Sequence, residues 1–64
     1  MIQKYDIVKS SNDLNDKVLK NCKGTVLIVY PDFPPSYEVE FVNDDLETLD
    51  VLTVSASEII KIER

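Results

Sequence analysis

The 64-residue chain has no histidine, no tryptophan, one glycine and one cysteine. Without histidine it lacks the commonest general base and metal ligand of proteins, so Ser–His and Cys–His nucleophile pairs are excluded. One glycine cannot form the glycine-rich loop that cradles a phosphate group. The lone Cys22 excludes an intramolecular disulfide and a cysteine metal cluster, which suits a reducing cytosol. We therefore predict a protein that is not an enzyme and holds no metal or cofactor.

Long hydrophobic runs are also absent. The first residues lack the apolar run of roughly 7–15 residues typical of a signal peptide, and no stretch approaches the ~20 apolar residues of a membrane span. We expect a cytoplasmic protein with no membrane partner. A chain that is 44% hydrophobic and 30% charged is typical of a folded domain. Its length predicts a single domain over residues 1–64, with a small core worth about 3–5 kcal/mol of net stability.

Short runs of β-branched and aromatic residues, separated by Asn, Asp, Ser and Pro, predict strands. The clearest run is residues 37–42, where apolar Tyr37, Val39 and Phe41 alternate with Glu38 and Glu40. Because successive side chains of a strand point to opposite faces, this run predicts one buried face and one acidic, solvated face. Similar runs predict five strands in all, over residues 5–9, 25–30, 37–42, 49–54 and 59–62.

The first two connections carry their own signals. Residues 13–21 predict a long loop with room for a short helical turn, because their asparagines favour turns over helix interiors. Gly24 stands at the entrance of the second strand, where a positive φ or a close backbone approach is most useful. Residues 31–36 contain three prolines, which cannot continue a ladder and predict a stiff connection.

The later connections complete the predicted fold. Residues 43–47 predict a hairpin turn, and the mixed parity of apolar residues in the fourth strand predicts a bulge near Val51. Ser55 and Glu58 match a capping box, which predicts one turn of helix before the last strand. Together these signals predict an all-β fold: a small five-stranded SH3-like barrel with a long first loop and a one-turn helix before the last strand.

Charge is distributed unevenly along the chain. Residues 24–60 contain eight acidic residues and neither lysine nor arginine, whereas the rest of the chain carries seven basic and four acidic residues. An acidic segment of this kind disfavours nucleic acid as a partner, because neutralisation of phosphates supplies most of that affinity. Two interpretations remain open: the acidic surface keeps a small domain soluble, or it is a footprint for a basic protein partner.

The second interpretation gives a set of candidate partner-binding residues, namely Asp32, Phe33, Glu38, Glu40, Asp44, Asp45, Glu47 and Asp50. In this set the acids would set the association rate. Phe33 would be an anchor, presented by a proline-stiffened loop; the alternative is that Phe33 folds back to cap the small core. If the acidic face does not bind, the surface to examine is the basic loop that contains Lys17, Lys20 and Lys23.

Three of these features also have other chemical interpretations. Glu38 and Glu40 could act as an acid–base pair, but neighbours on a solvent face have no burial to raise a carboxyl pKa. Asp44 and Asp45 lack the spacing of a calcium-binding EF-hand loop and predict a turn. Cys22 lies beside two lysines, which would lower the pKa of an exposed thiol; alternatively it is a packed small residue.

The chain also resembles a family of small bacterial proteins numbered 4926 among the domains of unknown function. The resemblance spans nearly the whole chain and rests on Tyr5-Asp6-Ile7-Val8-Lys9, Lys23-Gly24-Thr25-Val26, Tyr37-Glu38-Val39-Glu40-Phe41-Val42 and Leu52-Thr53-Val54. Members look like SH3-type barrels with the pattern Gly-x-x-Gly-Thr-Val in the middle element. Asn21 stands where the first glycine of that pattern would fall.

Members of this family resemble the small partner genes found beside toxins, which implies an immunity or antitoxin role. The resemblance thus implies stoichiometric binding of a cognate toxin, and the acidic segment agrees with a basic nuclease as that toxin. We also expect the free protein to be a folded monomer or weak dimer. The alternative is an accessory SH3-like module that binds a peptide or stabilises a subunit of another enzyme. A proline-rich peptide would need an aromatic groove, and the chain offers five aromatic residues for it, two of them predicted to lie in the core.

Overall fold

The structure is a computed structural model that describes residues 2–62. Its elements are the strands β1 (Ile7–Ser10), β2 (Lys23–Tyr30), β3 (Ser36–Val42) and β4 (Thr48–Ser55), a single turn of 3-10 helix (Ala56–Glu58), and β5 (Ile59–Lys61). Among residues 2–62, no helix has the length and apolar character needed to cross a membrane.

The five strands form one antiparallel sheet in the order β4-β3-β2-β1-β5. This confirms the predicted all-β class, the five strands and the helical turn before the last strand. Within residues 2–62, β4 and β5 lie at opposite ends of the order and do not pair, so the sheet is open where a barrel was predicted. β1 and β5, at that end of the sheet, are short, with four and three residues. They offer few backbone groups that could pair with β4 and close a barrel.

One face of the sheet carries the core. Along β3, Tyr37, Val39 and Phe41 are buried, which confirms the face predicted from their alternation with glutamates. Val26 on β2 and Val54 on β4 pack into the same cluster. The first strand differs from its prediction, because it begins at residue 7 and its buried side chains are at residues 8 and 10. Residue 5 instead occupies a turn with φ 71°.

The loop of residues 11–22, which contains the predicted long loop of residues 13–21, packs against the core. Val18 is fully buried, and the carboxamide oxygen of Asn15 accepts hydrogen bonds from the backbone amides of Lys17 and Val18. The hydroxyl of Ser10, itself fully buried, donates to the carbonyl of Leu19 at 2.6 Å and accepts from the amide of Cys22 at 2.9 Å. These bonds satisfy a buried polar group and fix both ends of the loop.

Gly24 is required by close packing. A Cβ atom at this position would lie 2.7 Å from Val39 Cγ1 and 2.9 Å from Phe41 Cδ1, so the close approach predicted for this glycine is confirmed. The neighbouring Asn21 has a φ of 69°. Asparagine is one of the few residues that enter the left-handed region readily, so the backbone can turn here without a glycine.

A bulge bends the edge strand β4. Phe41 pairs with Asp50 but Val42 pairs with Thr48, so Leu49 is the extra residue. The bulge was predicted near Val51 and lies two residues before it. The predicted capping box is present at the end of β4, where the backbone amide of Ser55 donates to Glu58 Oε1 at 2.9 Å.

Candidate protein-binding surfaces

The sheet face opposite the core carries Glu38 and Glu40. Thr53 Oγ1 donates a hydrogen bond to Glu38 Oε1 at 2.5 Å, and the hydroxyl of Thr48 donates to the Glu40 carboxylate. Both glutamates are half-buried against these β4 neighbours. The two carboxylates are therefore held in fixed positions on β3, as in a surface whose charges are already oriented for a partner.

Aliphatic side chains flank this pair on both sides. Ile28 of β2 lies opposite Glu38, and Val51 of β4 lies opposite Glu40. Ile28 is 46% exposed and Val51 is 42% exposed. We call these four residues, Ile28, Glu38, Glu40 and Val51, the outer face. Exposed apolar area bordered by polar groups matches the apolar core and polar rim of protein interfaces.

The other predicted acids do not join the outer face. Asp44, Asp45 and Glu47 lie together in the turn of residues 43–47, beyond the end of β3. Asp50 shares the core side of the sheet with Phe41; its Oδ2 accepts a hydrogen bond from Asn15 Nδ2 at 3.0 Å. The structure thus divides the predicted acidic residues among separate places instead of assembling one footprint.

Asp32 and Phe33 lie at the other end of β3, in the loop of residues 31–35, which we call the Phe33 loop. The Phe33 side chain is fully exposed, at 102% of its reference area. The alternative in which this ring caps the core is therefore wrong, because Tyr37, Val39 and Phe41 fill that side of β3 without it. Asp32 Oδ2 accepts a hydrogen bond of 3.5 Å from the hydroxyl of Ser36.

A second candidate surface lies apart from the outer face and the Phe33 loop, and the sequence did not predict it as a cleft. A cleft of about 550 Å³ separates the loop of residues 11–22 from the turn of residues 43–47. Its apolar lining consists of Leu19, Cys22, Val42, Leu46 and Leu49. Leu19 is 54% exposed and Leu46 is 72% exposed, so both leave apolar area open to solvent.

Lysines line one side of this cleft. Lys17, Lys20 and Lys23 belong to its lining, and Asp44 lies on the turn side. Within residues 2–62 the one salt bridge joins Lys61 to Asp6, so the three lysines are not in ion pairs there. We call this site the lysine cleft. The lysines were visible in the sequence as a basic loop, but the leucines were not, because they come from two segments that only the fold brings together.

Cys22 lies half-buried in the lining of the lysine cleft. Its Sγ donates to the carbonyl oxygen of Val42 at 3.4 Å. Burial raises the pKa of the thiol above its ordinary value of 9.0, and the negative charge of Asp44 raises it further. A lowering by the neighbouring lysines was expected only for an exposed thiol, and the half-buried Cys22 fits the alternative of a packed small residue. No group of three or more His, Cys, Asp or Glu residues among residues 2–62 is placed to hold a metal ion.

Comparison with known proteins assigns the chain to a family. A family model described as "Domain of unknown function (DUF4926)" matches residues 4–61, which is most of the chain, so the chain belongs to that family. This confirms the resemblance found in the sequence. No curated protein and no solved structure matches the chain.

Proposed function

We propose that this DUF4926 domain is an immunity or antitoxin protein that neutralises a cognate toxin, a basic nuclease, by stoichiometric binding. The observation that carries the proposal is the fully exposed Phe33, presented beside Asp32 by a loop with three prolines. An exposed aromatic side chain in a stiff loop loses little conformational freedom on binding, so it is well suited to act as an anchor.

The outer face leads towards this loop. Ile28 and Tyr30 lie on the same side of β2, and Tyr30 pairs with Ser36 at the point where the Phe33 loop joins the sheet. The Glu38 carboxylate lies beside Ile28 on that side. A partner that contacts the outer face and the Phe33 loop together would bury aliphatic and aromatic side chains around oriented carboxylates.

Electrostatics favours a basic partner. The outer face and the Phe33 loop carry Glu38, Glu40 and Asp32 and no basic residue. A nuclease that holds a phosphate backbone requires a basic site, and an acidic surface speeds encounter with such a site while disfavouring acidic competitors.

The alternative is an accessory SH3-like module. The strand order and the helical turn before β5 support the SH3-like architecture as a proposal, with the sheet left open between β4 and β5. Tyr37 and Phe41 are buried, so they supply no aromatic surface for a proline-rich peptide. We therefore favour inhibition of a toxin over peptide recognition through an aromatic groove.

The test is to co-purify the product of the adjoining gene with the tagged chain and to measure binding kinetics across salt concentrations. The variants are Glu38→Lys/Glu40→Lys and Phe33→Ala. We expect slower association for the charge reversal and at high salt, since charges act on encounter, and faster dissociation for Phe33→Ala at an unchanged melting temperature.

Two matched controls separate this site from general surface effects. Asp16→Lys reverses an exposed acid outside the outer face, and Tyr5→Ala removes an exposed aromatic ring from a different turn. Both should bind like the wild type. Association that ignores salt and the charge reversal would leave the acidic residues as a solubility device and contradict the proposal.

A further inference from the structure

Two exposed apolar features lie at opposite ends of β3 in opposite electrostatic surroundings. At one end Phe33 is fully exposed beside Asp32. At the other end the lysine cleft leaves Leu19 and Leu46 exposed beside lysines that make no ion pair within residues 2–62. One feature is an aromatic knob with a negative charge, and the other is an apolar concavity whose lining carries three lysines and the single carboxylate of Asp44.

A single chain cannot bring these two features together. β3 has seven residues and lies between them, so they are separated by roughly 20 Å at about 3.3 Å per residue. The Phe33 loop follows β2, whereas the lysine cleft forms where β2 begins and β3 ends. Only a second molecule can supply the knob to the cleft.

We propose that the chain associates with a second copy of itself by inserting Phe33 of one copy into the lysine cleft of the other. The ring would contact Leu19, Leu46 and Leu49, and the Asp32 carboxylate would pair with lysines at the rim. A cleft of about 550 Å³ has room for an aromatic ring and lies within the usual size of ligand pockets.

The opposite charges make this contact selective. The chain as a whole carries a net charge of −5, which opposes association of two copies in most orientations. The lysine cleft holds three of the seven basic residues, so the orientation that brings the acidic Phe33 loop to it is favoured. Raising the salt concentration should weaken this contact.

Leu46 supports a role for the cleft beyond the fold. It has a φ of 63°, in the left-handed region where a branched side chain such as leucine is disfavoured and asparagine or glycine is preferred. Its side chain is nevertheless 72% exposed and packs into no core. An apolar side chain at such a position gains no burial within one chain but would gain it from the inserted ring.

The contact is heterologous, because the knob and the cleft are different surfaces. Each copy therefore retains one free knob or one free cleft after a single contact. One loop inserted into one cleft buries much less surface area than a standard protein–protein interface, so the association should be weak and concentration-dependent. It also occupies Phe33, so a partner that uses the same ring would compete with self-association.

The test is sedimentation analysis of the chain alone over a range of concentrations. We expect the average mass of the wild type to rise with concentration, and the dissociation constant to rise by about tenfold or more in Phe33→Ala and in Lys17→Glu/Lys20→Glu. The side chains changed in these variants are exposed, so both variants should keep the wild-type melting temperature. Tyr5→Ala is the matched aromatic control and should associate like the wild type.

Mixing the two defective variants gives the decisive measurement. Phe33→Ala retains an intact cleft, and Lys17→Glu/Lys20→Glu retains an intact loop. A 1:1 mixture should therefore form a heterodimer that grows no further, at concentrations where each variant alone is monomeric. A monomeric wild type at every concentration, a Phe33→Ala that associates like the wild type, or a mixture that stays monomeric would overturn the proposal. No toxin is present in this experiment, so its outcome is independent of the proposed inhibitory function.

Discussion

The two five-residue connections on either side of β3 are both acidic, yet they are built in opposite ways. In the turn of residues 43–47, the Asn43 carboxamide oxygen accepts hydrogen bonds from the amides of Asp45 and Glu47, each at 2.9 Å, and its nitrogen donates to Glu47 Oε1 at 2.9 Å. In the Phe33 loop, the 3.5 Å bond between Ser36 and Asp32 is the one such contact among the described residues.

The turn of residues 43–47 is therefore held in place by its own hydrogen bonds, whereas the Phe33 loop is not. Asn43 organises its turn through local side-chain to backbone bonds, which replace the missing ladder partners. The Phe33 loop instead gains its order from prolines, whose rings restrict φ without any hydrogen bond. A segment built in the second way leaves its side chains free to contact another molecule.

The largest effect is expected when the same Phe→Ala substitution is made in β3 and in the Phe33 loop. Phe41→Ala removes a fully buried ring from β3 and should lower the free energy of unfolding by about 3–5 kcal/mol, enough to unfold a domain of this size. Phe33→Ala removes a fully exposed ring and should change it by less than about 0.5 kcal/mol. Denaturant titration measures both free energies of unfolding. Similar midpoints for the two variants would contradict the claim that Phe41 stabilises the fold and Phe33 does not.

A smaller effect is expected from the hydrogen bonds themselves. Asn43→Ala leaves the amides of Asp45 and Glu47 without their acceptor and should cost about 1–2 kcal/mol of stability. Ser36→Ala removes the single long bond of the Phe33 loop and should cost less than about 0.5 kcal/mol. The measurement is again thermal or denaturant unfolding. Equal losses would show that the loop depends on hydrogen bonding as much as the turn does.

The smallest effect concerns Cys22, which lies next to the turn. Because its pKa is raised, the thiol stays neutral at pH 8 and should react with iodoacetamide more slowly than a thiol in an unfolded peptide. Asp44→Asn removes the second cause of the shift, so the midpoint of the pH–rate profile should move down slightly. Asp45→Asn, its neighbour, is the matched control and should leave the midpoint in place.

The same shift links folding stability to pH. A pKa that is higher in the folded than in the unfolded chain means that the folded state holds the proton more tightly. The resulting stabilisation is complete below pH 9 and is lost as the pH rises through the folded pKa of Cys22. Cys22→Ser should therefore flatten the alkaline end of the stability profile, and an unchanged profile would contradict this assignment.

Much of the fold could be predicted because its signals are local. Alternation along β3 gave the buried face, since period two is a property of any strand. The capping box at Ser55 and Glu58, the turn at residues 43–47 and the need for a glycine at position 24 are likewise written within a few residues of one another. Each of these predictions is confirmed by the geometry.

The remaining features depend on contacts between distant segments. Asp50 lies on the core side opposite Phe41 and accepts a hydrogen bond from Asn15, which no count of acidic residues reveals. Leu19 and Leu46 form a cleft only because the loop of residues 11–22 folds beside the turn. The exposure of Phe33 was open in the sequence, because prolines specify stiffness but not the side on which a ring lies. The open sheet was not predicted, because the number of strands does not specify whether the first and last strands of the sheet pair.

The position of β1 in the sheet also has a consequence for how the chain reaches its native state. β1 lies between β2 and β5, and Val8 pairs with Lys61 near the other end of the described residues. The hairpins β2–β3 and β3–β4 close short loops, whereas the β1–β5 ladder must close nearly the whole chain, which costs more entropy and slows folding. We therefore expect the three central strands to form early and the β1–β5 ladder to form last, so that during synthesis the sheet is completed only after β5 has left the ribosome.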